Sequence, residues 1–134
     1  MYLSLLSNDN KELFLDLILI IAKVDNDFSD EEKGVINSYC TEMGISYRDD
    51  ERYSSVEELI NVIDELTSMK EKRIFIFEAI GLAMADGDFD GDEKKIILLA
   101  SYVFALDESY VKECEVILTQ YYDFQNKVNQ LVLA

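Results

Sequence analysis

The chain repeats an acidic segment, and any fold proposed for it must accommodate the repeat. Ala22, Asp25, Asp27, Phe28, Glu32, Lys33 and Ile36 recur 61 residues later as Ala83, Asp86, Asp88, Phe89, Glu93, Lys94 and Ile97, seven identities in fifteen positions aligned without a gap. Each copy follows a strongly apolar run and precedes an amphipathic one. The repeated unit is therefore a turn joining two helices.

Asn26 and Gly87 stand where a helix ends and the chain turns, and both residue types tolerate the left-handed conformation. Ser29 and Asp90 fit N-cap positions, with Glu32 and Glu93 three residues on as the second half of a capping box. Helical side chains lean toward the N-terminus, so each Glu points back over its turn. Asp25, Asp27 and Glu32 are expected to converge, as are Asp86, Asp88, Asp90 and Glu93. Oxygen donors without nitrogen or sulfur suit a hard divalent cation. Capping alone does not explain five carboxylates within residues 25–32 and five within 86–93, because their mutual repulsion opposes folding. Several also sit just after a helix C-terminus, the unfavourable end of the macrodipole for negative charge. Asp86, Asp88, Asp90 and Gly91 match the start of an EF-hand loop, but its twelfth position is Ile97 and the acidic residue arrives early, at Glu93. The turn is not an EF-hand.

Ala-x-x-Asp-Gly-x-(Phe/Ile)-x-x-x-Glu at a helix junction, occurring twice in a helical chain, resembles the tellurite-resistance TerB family and its TerB-like relatives. Asp86, Gly87, Phe89 and Glu93 stand at the family's characteristic positions. Asp25, Phe28 and Glu32 match in the first copy, where Asn26 replaces the glycine. The resemblance implies an all-α TerB-like bundle of about seven helices, two pseudo-repeated three-helix halves plus a C-terminal helix. It also implies divalent-cation binding, calcium first, by the acidic clusters. Tellurite or stress response is the setting it suggests, although a fold does not carry its function with it.

The 134 residues are expected to form one domain, with pseudo-repeats at about 9–66 and 69–121. Proline is absent and only five glycines occur, which favours long helices with short joints. Twelve basic residues against twenty-eight acidic ones give a net charge of −16, which argues against nucleic acid and for cations or a basic protein surface as partners. There is no histidine. That removes the commonest general base and most zinc and iron sites, and no enzyme constellation stands in its place. Cys40 and Cys114 lack metal-ligand spacing and read as buried thiols in a reducing, cytoplasmic compartment. The first ten residues do not read as a secretory signal, and the longest apolar run, from Leu13 to Val24, is too short to span a bilayer.

The first helix is expected to begin at Asp9 and to be central, because residues 13–22 are apolar on nearly every face except at Asp16. Its counterpart follows Ser68 and Glu71, a second capping box, and the two helices are expected to pack together with Gly81 and Ala83 allowing close approach. Glu78 is the exception on that helix and is expected to reach an edge or a tyrosine hydroxyl. Further helices are expected over about 29–43, 56–66, 90–105 and 111–118. Residues 45–54 read as a polar connector, with Tyr47, Arg48, Arg52 and Tyr53 as an alternative partner patch. The tail from Tyr121 reads as a separate short helix that docks across the bundle, and an exposed apolar end would instead indicate self-association. Two functions follow: a cation-binding helical module, or a metal-free acidic scaffold that docks onto a protein or a membrane-associated complex.

Overall fold

A computed structural model describes residues 1–24, 28–84, 89 and 91–134. Among the described residues a 3-10 turn (Leu3–Leu5) precedes six α-helices and there is no strand: α1 (Asn8–Lys23), α2 (Asp30–Met43), α3 (Val56–Leu66), α4 (Met69–Ala83), α5 (Gly91–Val103) and α6 (Glu108–Leu133). The expected all-α class holds, with one correction to the count. The helix expected at 111–118 and the tail helix are a single rod of 26 residues. No glycine or proline falls inside it to break the ladder. Thr119 returns its hydroxyl to the Glu115 carbonyl at 2.8 Å, satisfying the side chain without leaving the helix.

Short polar residues start the helices where the spacing predicts. Ser29 accepts the Glu32 N–H at 3.1 Å while Glu32 Oε1 accepts the Ser29 N–H at 3.3 Å, and Ser68 and Glu71 form the same reciprocal box. Gly44 closes α2 at φ 71°, a left-handed position that suits a residue without Cβ.

The first helix differs from expectation at its start. Ser7 is the N-cap of α1 but makes no side-chain cap. Glu71, from the first turn of α4, acts as the carboxylate half of a capping box: its Oε2 accepts the Ser7 N–H at 3.1 Å, and its carboxylate accepts the Asn10 side-chain amide at 3.1 Å. One carboxylate thus closes the starts of two helices. Burial alone would raise the Glu71 pKa, but the hydrogen bonds from Ser7, Asn10 and Ser68 outweigh it and hold the group below its ordinary 4.5. Stability from this group is present above about pH 4.5 and lost as the pH falls through the lower, folded-state value. Glu71→Gln is expected to flatten the acid limb of stability, read as urea midpoints between about pH 3 and 6. An unchanged acid limb would contradict the assignment.

Buried side chains from every helix form one core. α1 packs on α2, α3, α4 and α5, so it is central, as its all-round apolarity requires. Contacts run between the two repeats as well as within them, so the duplication is one of sequence order and not of separate layers. Phe14 of α1 meets Phe75 of α4 edge-on at 5.3 Å between ring centroids, the expected pairing of the two apolar helices. The space at Gly81 serves other elements. A Cβ there would stand 3.0 Å from the Tyr39 hydroxyl and 3.6 Å from that of Tyr122. These hydroxyls, from α2 and α6, donate to the Glu78 and Gly81 carbonyls at 2.9 and 3.3 Å.

The polar exceptions are structural. Buried Glu78 accepts from the Met1 amine and the Tyr2 N–H, each at 2.8 Å, and thereby seats the chain start on α4. Buried Asp16 receives Arg48 at 2.7 Å and Arg52 at 2.6 Å, while the Lys23 amine donates to the Asp49 carbonyl. Residues 45–54 are therefore strapped onto α1, with Arg48 and Arg52 both engaged in holding the strap. The tail does not dock: from Asp123 onward the residues of α6 are exposed. Cys40 and Cys114 are buried thiols, as expected.

Candidate cation site at the helix-joining turns

The repeated turns connect α1 to α2 and α4 to α5. Of the seven expected ligands, Glu32 and Glu93 are described. Asp25, Asp27, Asp86, Asp88 and Asp90 lie outside the described residues, as do Asn26 and Gly87. Glu32 and Glu93 occupy equivalent places in the first turns of α2 and α5, and both are buried, at 2% and 8% exposure. Carboxylates are rarely so enclosed, since removing the charge from water is costly without polar partners or a cation. The helix N-terminus contributes partial positive charge at each. Glu32 Oε1 is also placed by the Ser29 N–H and hydroxyl, both at 3.3 Å.

The equivalence extends to the aromatic beside each turn. The Lys33 amine lies 5.4 Å from the centre of the Phe28 ring, and the Lys94 amine lies 5.1 Å from that of Phe89. Lys23 approaches Phe28 from α1 at 5.7 Å. Both rings pack against the core at partial exposure. The sequence carried this feature as the repeated Glu-Lys pair, but its partner was not evident there, because a helical Lys reaches a ring five residues earlier only once the turn is folded.

The described part of each site offers an anchored, oxygen-only ligand, which fits a hard divalent cation and not a soft metal. Among the described residues no group of three or more His, Cys, Asp or Glu is placed to hold a metal ion. The full donor set depends on the aspartates of the turns. No helix among the described residues is long and apolar enough to cross a membrane.

These features define an all-helical bundle in which two acidic corners each end on a buried glutamate. No protein-family model matches the chain, and no curated protein matches it. A solved structure does: the crystal structure of a tellurite resistance protein from Nostoc punctiforme superposes with a TM-score of 0.67, covering 96% of this chain and 84% of that one at 23% identity. The chain has a TerB-like fold, as the resemblance in its two turns implies.

Proposed function

We propose that the chain is a non-enzymatic module that binds a divalent cation, calcium first, at its acidic turns. The observation that carries this reading is the recurrence of a buried glutamate, Glu32 and Glu93, at the same place after two acidic turns in a chain of net charge −16. Asp86, Asp88, Asp90 and Glu93 would form the stronger site. Asp25, Asp27 and Glu32 would form the weaker one, with Ser29 and Asn26 in place of an acid and a glycine. When bound, the cation supplies positive charge that offsets carboxylate repulsion. Glu32 and Glu93, held in the first turns of α2 and α5, link that charge balance to the seating of each helix. Such coupling can present or withdraw a partner surface. Tellurite resistance is what the structural neighbour is named for, and tellurite or stress response in the cytoplasm is the setting we propose for this activity.

A second reading is a metal-free acidic scaffold for a protein or a membrane-associated complex, and the net charge of −16, which suits a basic partner surface, favours it. Calcium titration followed by thermal melting separates the two. Calcium at 100 times its Kd is expected to stabilise the chain by about 2.7 kcal/mol, and the shift is expected to disappear in D86N/E93Q if the second turn dominates. No shift in the unaltered chain, or an equal shift in the double variant, would leave the scaffold reading.

A further inference from the structure

α6 carries an apolar seam that its own bundle covers only at the start, where Cys114 is buried and Tyr110 packs on the core, and leaves exposed from Ile117 onward. Tyr110, Cys114, Ile117, Tyr121, Phe124, Val128 and Leu131 follow one another at alternating intervals of four and three residues. This is a heptad a/d pattern, running roughly 31 Å along the rod. Its two halves have opposite shapes. Tyr110, Cys114, Ile117 and Tyr121 form one wall of an apolar groove of about 580 Å³, whose other wall includes Tyr2, Leu5, Ile74 and Phe77. Phe124, Val128 and Leu131 continue the same stripe as a ridge, with 65%, 39% and 83% of their surface exposed. Groove and ridge lie on one helix, on either side of Tyr121.

We propose that this face binds a second copy of the chain, with the two α6 helices antiparallel about a two-fold axis near Tyr121. The rotation lays the ridge of each copy along the groove of the other, the self-complementary relation that a two-fold interface requires. Charge selects the direction. Glu113 and Lys127 lie just before Cys114 and Val128 and therefore flank the seam on one side. They are nearly equidistant from its midpoint, so antiparallel pairing sets Glu113 of each copy opposite Lys127 of the other. Parallel pairing sets them instead beside Leu118 and Val132. Among the described residues neither Glu113 nor Lys127 has an ion pair within its own chain. Lys70 and Arg73 also line the groove, which offsets the repulsion between two chains of net charge −16. No residue of the seam is among the expected cation ligands, so association is expected without added calcium.

Sedimentation equilibrium across micromolar concentrations tests it, and the expected result is twice the monomer mass. Phe124→Asp or Leu131→Asp is expected to give monomer with unchanged helical circular dichroism, since neither side chain is part of the core. Glu113→Lys is expected to weaken association by about tenfold, as is Lys127→Glu, and combining them is expected to restore it. A monomer at every concentration would overturn the proposal, and so would a double exchange that fails to recover the dimer.

Discussion

Asp16→Asn is expected to cost about 3 kcal/mol of folding stability, near the lower end of the range for breaking a buried ion pair. Asp16 is 3% exposed and takes two guanidinium groups, Arg48 at 2.7 Å and Arg52 through paired contacts at 2.6 and 3.0 Å. The amide keeps the shape but removes the negative charge, leaving two cations facing a neutral group. The loss is not larger because Arg48 also holds Glu12 at 3.2 Å, and the Arg52 side chain is 43% exposed and can turn to water. The same change should release residues 45–54 from α1. Urea unfolding reads the energy, and limited trypsin digestion reads the strap, through faster cleavage after Arg48 and Arg52. A loss below about 1 kcal/mol with unchanged cleavage would show that packing, not charge, holds this segment.

Phe14→Ala is expected to cost about 4 kcal/mol, within the range for truncating a buried aromatic side chain. Phe14 is fully buried between Phe75 at 5.3 Å and Tyr39 at 5.8 Å, so truncation opens a cavity where α1, α2 and α4 meet. A whole domain is stable by only about 5–15 kcal/mol, so the variant should populate unfolded chain measurably at moderate urea. Phe14→Leu should cost less than half as much, because it keeps most of the volume. α1 and α4 lead into the two acidic turns, so this crossing also fixes the helix ends from which the turns start. Equal losses for the alanine and leucine variants would indicate that the site collapses around either side chain and that ring packing is not what holds the crossing.

The residues differ in how openly they announced their roles. Ser29 and Ser68 marked the starts of α2 and α4 correctly, because a cap and its partner lie three residues apart and need nothing from elsewhere. The start of α1 was misjudged by the same local logic, since its acceptor, Glu71, comes from a helix 64 residues away in sequence. Asp16 and Glu78 were visible as polar breaks in apolar helices. Their partners were not, because a buried carboxylate can be satisfied by any donor that the fold delivers. Gly81 was read as a contact point between central helices, yet it accommodates two tyrosine hydroxyls from α2 and α6.

The candidate site divides in the same way. Its repeat, its oxygen-only chemistry and the family it resembles were all legible in residues 22–36 and 83–97. The burial of Glu32 and Glu93 was not, nor was the placement of Lys33 and Lys94 over Phe28 and Phe89. Periodicity, caps and composition alone determined that this chain is helical and where most of its rods begin, because those properties depend on neighbours within about four residues. Only the tertiary structure decided that α6 is one unbroken rod with its outer half exposed, and that Arg48 and Arg52 close on Asp16. Burial and ion pairing are set by surfaces far apart along the chain, which meet only when the whole bundle has formed.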